Sequence, residues 1–332
     1  GDFSFKEVAE VAGVAAPNTW SSGVAITDIN LDGLPDIYVS ASFVKVAEGR
    51  RNQLFVNQGN DESGIPKFLE QAAQYGLADT GYTTQTFFFD YDGDQDLDAF
   101  MLNDKLFQPR STTRLDQLME GGEATVDQLY RNEGNGNFVD VSKAAGIEYP
   151  GFGLGAAIFD ANGDDYLDIY VSNDFISNDL LYINQQDGTF KNQIQDYFKH
   201  HSFASMGIDA ADLNGDGKAD IMTLDMLPEE QERTKRTYSA NKYQFYDLMK
   251  QNDYLMQYNR NTLQISDGPG MYRDIGELAG VAATEWSWSV LFADLDNDTR
   301  RDLAITNGYP RDITDMDFGD FNSGMESLLV TK

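Results

Sequence analysis

Five short stretches of the chain put carboxylate or amide oxygens at alternate positions, just before an apolar, β-branched run. Asp28, Asn30, Asp32 and Asp36 stand at positions 1, 3, 5 and 9 of the first stretch. Asp90, Asp92, Asp94 and Asp98 repeat the pattern, as do Asp160, Asn162, Asp164 and Asp168. Asp212, Asn214, Asp216 and Asp220 form the fourth copy, and Asp294, Asp296, Asp298 and Asp302 the fifth. In a tight loop, positions 1, 3 and 5 turn their side chains inward, and a carboxylate at position 9 closes the far side. Such a set suits a hard cation. Ca²⁺ takes about 6–8 oxygens from carboxylates, amides, backbone carbonyls and water, whereas Mg²⁺ demands stricter octahedral geometry. Position 7 varies freely, with Leu34, Asp96, Tyr166, Lys218 and Arg300, which suits a ligand supplied by the backbone carbonyl. The expectation is up to five bound Ca²⁺ ions.

An EF-hand begins in the same way but needs a bidentate Glu at position 12. Val39, Met101, Val171, Thr223 and Ile305 stand there, and none can ligate through a side chain. Asp-rich turns also form without metal, because Asp and Asn bond to their own backbone. One copy would leave those two explanations level; five copies in one context favour the cation. Position 6 is Gly only at Gly33 and Gly217; Gln95, Asp165 and Thr299 replace it, and the fifth loop is the least regular.

The elements around the loops repeat as well. A strand-like run precedes each loop ("GVAIT", "TFFF", "AAIF", "IDAA", "VLFA") and another follows it ("DIYVS", "DAFML", "DIYVS", "DIMTL", "DLAIT"). A third element ("NQLFVNQG", "DQLYRNEG", "DLLYINQQ", "NTLQISDG") ends in turn residues. A fourth follows ("FLEQAAQYGL", "FVDVSKAAGI", "FKNQIQDYF", "YRDIGELAGV"), with a further copy at Phe5–Val14. Four antiparallel strands per unit at this spacing predict an all-β fold, a β-propeller of four-stranded blades. Residues 1–332 read as one propeller domain with five loop-bearing units, the first and last incomplete, and as a piece of a longer chain with further blades. Residues 229–261 break the pattern. Pro228 marks a helix start, and Phe245, Leu248, Met249 and Leu255 lie at helical spacing, so a helical insertion is expected there.

"FGLGAAIFDANGDDYLD" keeps a Phe-Gly at Phe152–Gly153 and a Gly-Ala at Gly155–Ala156. With the loops, this resembles the FG-GAP/VCBS repeats that form the blades of integrin α-subunit propellers. "LYRNEGNGNFVDVSKAAGI" and "DIYVSND" resemble large Bacteroidetes VCBS-repeat surface proteins related to cartilage acidic proteins. The resemblance implies an extracellular or outer-membrane-surface propeller that binds Ca²⁺ through these loops, with a lipid anchor in some longer relatives.

A net charge of −31 on 332 residues repels nucleic acid and anionic membranes. An apolar fraction of 41% supports a core, and no apolar run is long enough to span a bilayer. There is no Cys, hence no disulfide and no thiol nucleophile. His200 and His201 are the only histidines, and no base-and-orienter pattern around them specifies a triad. The residues therefore favour a module that binds a protein partner or joins a cell-surface complex over an enzyme. A polysaccharide-binding lectin or polysaccharide lyase is the alternative. Strand alternation puts the loops and the strand 3–4 turns at one end of each blade and the variable connectors at the other. The partner is expected on the connectors, with Arg110 and Arg114 among them. Trp20, Tyr82, Phe152, Phe203 and Trp286, just before strand 1 of each unit, are expected to wedge between blades.

Overall fold

The computed structural model of this protein describes residues 4–16, 19–104, 123–134, 136–175, 177–237, 242–251 and 254–308. The fold is all-β, made of antiparallel four-stranded sheets of the β-propeller kind with few helices. Strands β1 (Ser21–Thr27), β2 (Asp36–Ala41), β3 (Gln53–Asn60) and β4 (Pro66–Glu70) form the first sheet in sequence order. Strands β5 (Thr83–Phe89), β6 (Asp98–Asn103), β7 (Gln128–Asn132) and β8 (Phe138–Asp140) form the second. Strands β9 (Gly153–Phe159), β10 (Asp168–Asn173), β11 (Leu180–Asn184) and β12 (Phe190–Asn192) form the third. The short β13 (His200–Ser202) follows.

In the fourth sheet, β14 (Ile208–Ala211) and β15 (Asp220–Thr223) are separated in sequence from their partners. Between them lie β16 (Met226–Leu227), helices Gln231–Thr237 and Lys242–Gln251, and β17 (Met256–Tyr258). Strands β18 (Thr262–Gly268) and β19 (Met271–Asp274) then complete the sheet, in the order β14-β15-β18-β19. The helical insertion expected over 229–261 is thus present. Met249 is buried, while the side chains of Phe245 and Leu248 lie outside the described residues. Two short strands that the sequence reading missed flank these helices, β16 before residue 229 and β17 within 229–261. β17 pairs in parallel with β13, and β16 pairs with β20 (Glu285–Ala293) beside β21 (Asp302–Asn307).

The fourth element of each unit is only partly a strand. Its last residues turn into a single helical turn: Ala9–Ala12, Ala72–Tyr75, Ser142–Ala145, Ile194–Tyr197 and Gly276–Ala279. Four of the five close on a left-handed Gly, the cap that most readily ends a helix.

The chain divides into two compact units, Gly1–Leu154 with Asn184–Lys191, and Gly155–Ile183 with Asn192–Lys332. The first is packed around Tyr38, Leu54, Val56, Ala99, Met101 and Tyr130. Tyr38 donates its hydroxyl to Leu77 O at 2.8 Å, so its polar end is satisfied inside the core. The second has one core around Tyr170, Leu181, Phe198 and Ile221, and another around Met222, Leu224, Val290 and Phe292. Every residue of β6, β10 and β11 is buried, the Asp, Ser and Asn at their ends included. The first sheet differs. Val24 and Ile26 are 55% and 69% exposed on β1, whereas Phe88, at Ile26's place in the second unit, packs against the core.

One side chain at the start of strand 3 latches each four-stranded sheet. Asn52 Oδ1 accepts Ala41 N–H, and Asp127 Oδ1 accepts Asn103 N–H, both at 2.9 Å. Asp179 Oδ1 accepts Asn173 N–H at 2.9 Å, and Asn261 Oδ1 accepts Asp225 N–H at 2.8 Å. Two sheets use the neutral amide and two the acid. Burial pushes the Asp127 carboxyl up to about 7. A raised carboxyl favours the fold below its unfolded value near 3.8, and that contribution is lost as pH rises through about 7. Asp127→Asn keeps the latch without the charge. It is expected to stabilise the protein at pH 8 by roughly 1–3 kcal/mol and to flatten the dependence of stability on pH between 4 and 7. Denaturant unfolding at several pH values reads this directly; equal pH slopes for parent and variant would refute it.

Candidate metal centres

All five acidic loops follow one backbone path. Position 6 is left-handed in each, with φ of 85° at Gly33, 77° at Gln95, 69° at Asp165, 82° at Gly217 and 75° at Thr299. Position 4 is left-handed too, at Leu31, Gly93, Gly163, Gly215 and Asn297. The departures from Gly at position 6 therefore change the strain and not the path. In every copy the N–H of position 6 donates to Oδ2 of the first Asp, at 2.7–2.9 Å. The N–H of position 7 donates to Oδ1 of the position 5 Asp, at 2.8–3.1 Å.

The position 9 Asp has a second role that the spacing did not disclose. Asp36, Asp98, Asp168 and Asp220 are almost fully buried. One carboxylate oxygen accepts the N–H of loop position 2, from Ile29, Tyr91, Ala161, Leu213 and, in the fifth copy, Leu295 to Asp302. The other reaches strand 3. Asp36 Oδ1 accepts Asn57 N–H at 2.7 Å, Asp98 Oδ1 accepts Asn132 N–H at 2.9 Å, and Asp220 Oδ1 accepts Ser266 N–H at 2.9 Å. Each carboxylate oxygen has lone pairs left for a cation after one such bond.

Two loops gather three carboxylates most closely. One ligand oxygen each from Asp90, Asp92 and Asp98 lies within 4.8 Å of the others, and so do those of Asp294, Asp296 and Asp302. The second loop is the most acidic, because Asp96 adds a carboxylate at position 7. Oδ1 of Asp92 and Oδ1 of Asp96 are buried and have no hydrogen-bond partner. Burial raises Asp92, and the Asp94 and Asp90 charges raise it further. Burial pushes Asp96 up to about 6, with Asp94, Asp92 and Asp90 adding to it. Asp98 is pushed up to about 7, chiefly by burial, against the lowering effect of its two N–H bonds. Buried acceptors with no donor, crowded by like charge, fit a bound cation. Sequence reasoning assigned only the backbone of Asp96; the signal for its side chain was the unbroken alternation Asp90, Asp92, Asp94, Asp96, Asp98.

The aromatics before strand 1 differ in placement. Phe152 is fully buried, while Trp20 is 64% exposed. Tyr82 lies under the Arg50 guanidinium at 4.1 Å. His200 and His201 make protein bonds, His200 Nε2 to Asp274 Oδ2 at 2.8 Å and His201 Nδ1 to Ser202 O at 2.8 Å. Arg110 and Arg114 lie outside the described residues, as do 105–122, 238–241, 252–253 and 309–332.

The two roles separate in a chelator. Asp220→Ala leaves the buried Ser266 N–H and the half-buried Leu213 N–H unpaired and is expected to cost about 2–4 kcal/mol with or without divalent metal. Asp216→Ala removes an exposed inward-facing carboxylate and is expected to cost stability chiefly when Ca²⁺ is present. Paired denaturant curves in Ca²⁺ and in EDTA test this; identical losses for the two variants in EDTA would contradict the assignment.

Residues 160–223, from the first Asp of the third loop to the end of β15, match the family described as FG-GAP-like repeat. The chain is 28% identical over 175 residues to cartilage acidic protein 1 of Homo sapiens. That match covers 52% of this chain and 23% of the human protein, so the chain spans under a quarter of the relative it matches. The strand–loop–strand unit within the matched residues 160–223 recurs in the other sheets of this β-propeller chain.

Proposed function

We propose that the chain is a calcium-stabilised propeller module that binds a protein partner outside the cell, at a cell surface. The observation that carries this is one loop path five times over, with buried, unpaired carboxylate oxygens on Asp92 and Asp96. In the second loop Asp90, Asp92, Asp94, Asp96 and Asp98 would hold the ion. Asp294, Asp296, Asp298 and Asp302 would hold it in the fifth, and the position 1, 3, 5 and 9 side chains in the others. Ca²⁺ supplies charge neutralisation where the carboxylates otherwise repel. FG-GAP propellers are consistent with protein binding, and the similarity to cartilage acidic protein 1 supports an extracellular location; a lipid anchor and a bacterial outer membrane are finer readings of the same proposal. Among the described residues no helix is long and apolar enough to cross a membrane.

Within each unit, partner contacts would fall at the sheet ends away from the loops. Trp20 and Phe43 stand there, 64% and 42% exposed, with ring centroids 6.2 Å apart. Phe43 is held at φ 57°, a left-handed backbone that a bulky residue rarely keeps without cause. Phe175 repeats this at φ 61°, beside Phe203 at 6.4 Å. Exposed aromatics are enriched at protein interfaces. The same pairs offer stacking faces to sugars, which keeps a glycan-binding or polysaccharide-lyase activity as the second reading.

Capture from the native envelope with and without Ca²⁺, beside a glycan array and an assay for unsaturated sugar products, separates these readings. Trp20→Ala with Phe43→Ala is expected to abolish protein capture without moving the melting curve. Adding EDTA is expected to lower the melting temperature by several degrees, and an unchanged curve would sink the calcium reading. Asp164→Ala is expected to weaken Ca²⁺ binding in its loop more than Asp165→Ala, because position 5 faces inward and Asp165 is exposed. Protons compete for Asp96 and Asp98, raised to about 6 and about 7, so Ca²⁺ affinity is expected to fall between pH 7.5 and 5.5. Calorimetric titration at the two values measures it.

A further inference from the structure

The third sheet fills its strand 3 latch differently from the others. Asp179 occupies the place of Asn52 and Asn261, fully buried, and is the one latch residue of the four that faces an imidazole. Its carboxylate is fully used as an acceptor. Oδ1 takes Asn173 N–H at 2.9 Å; Oδ2 takes the Tyr170 hydroxyl at 2.8 Å and the Ser205 hydroxyl at 3.1 Å. His201 Nδ1 stands 3.6 Å from Oδ2, with the ring 1% exposed.

Both nitrogens of this ring face oxygen acceptors. Nδ1 points to the Ser202 carbonyl at 2.8 Å, and Nε2 to Asn178 Oδ1 at 3.3 Å. The Asn178 oxygen is assigned by its other neighbours, since Leu255 N–H donates to it at 3.2 Å and the Gln257 amide at 3.3 Å. A backbone N–H cannot accept, so turning the Asn178 amide over would set donor against donor. A neutral imidazole offers one donor and one lone pair; only the doubly protonated ring donates from both nitrogens.

We propose that His201 is a buried imidazolium, paired with Asp179, that clasps the returning end of the helical insertion. Its parallel partner strand is β17, with His201 opposite Gln257, and Asn178 joins the ring, Leu255 and Gln257 in one knot. The clasp holds while the ring is charged and loosens when mutation removes the charge. The other ionisable groups around it are accounted for. Tyr170 donates to Asp179, and His200 turns to Asp274, which also pairs with Arg260 at 2.7 Å. Asp225 is engaged by the N–H groups of Phe203 and Ala204, and Asp174 by that of Phe175.

The chain has two histidines, so their ring signals separate cleanly in nitrogen-15 NMR. His201 is expected to show two protonated nitrogens at pH 7, and His201→Gln assigns the signal. Asp179→Asn, the residue that serves the latch in two other sheets, is expected to leave a single protonated ring nitrogen on His201 at pH 7. It is also expected to raise amide exchange in 255–258 at least tenfold at fixed pH, after correction for intrinsic rates. A single-tautomer neutral ring at pH 7 would overturn the proposal. So would a ring protonation state or an exchange rate that Asp179→Asn leaves unchanged.

Discussion

The carboxylate at the ninth loop position is the constraint on which each blade depends. It ties three pieces of chain: the loop through the N–H of position 2, the start of strand 2 on which it sits, and strand 3 through a backbone N–H in the first, second and fourth sheets. A buried backbone donor left unpaired costs about 1–3 kcal/mol, so each such Asp secures two. The residue opens strand 2, which is buried along its whole length in β6, β10 and β15. Burial in turn raises its proton affinity, as at Asp36, Asp98 and Asp220. A cation held in the loop would therefore draw on the same side chain as the hydrogen-bonded blade.

The loop in front of that residue is strained in a consistent way. Non-glycine residues in left-handed backbone cost about 1–2 kcal/mol each, yet Leu31, Gln95, Asp165, Asn297 and Thr299 accept it. Thr299 is β-branched, the type least suited to such a φ. The strain persists because the path turns the N–H groups of positions 6 and 7 onto the acidic oxygens of positions 1 and 5. In the second and fifth loops, one oxygen each from positions 1, 3 and 9 lies within 4.8 Å of the others, an arrangement that suits a hard cation.

Away from the loops, the same architecture tolerates different electrostatics at equivalent places. The strand 3 latch is an amide at Asn52 and Asn261 and a carboxyl raised by burial at Asp127 and Asp179, the latter beside His201. Geometry is conserved between sheets because a backbone N–H must be satisfied at that point, and Asn and Asp present the same oxygen. The insertion enters through this freedom, since His201 and Asn178 at the third sheet hold Leu255 and Gln257 on its far end.

What the sequence by itself determined was local and repeated. The loop register, the strands on either side and the all-β class were legible because the evidence for each lies within about ten consecutive residues, copied five times. The helical turns after strand 4 were not, because four residues are too few to show a helical period. Nor was the second role of Asp36, Asp98 and Asp220, whose strand 3 donors Asn57, Asn132 and Ser266 lie 21, 34 and 46 residues away. The pairing of β17 with β13, and with it the surroundings of His201, spans more than fifty residues. Such contacts follow from how strands stack once the chain has folded. Burial, which turns an ordinary Asp into a shared acceptor with a raised proton affinity, belongs to the tertiary structure alone.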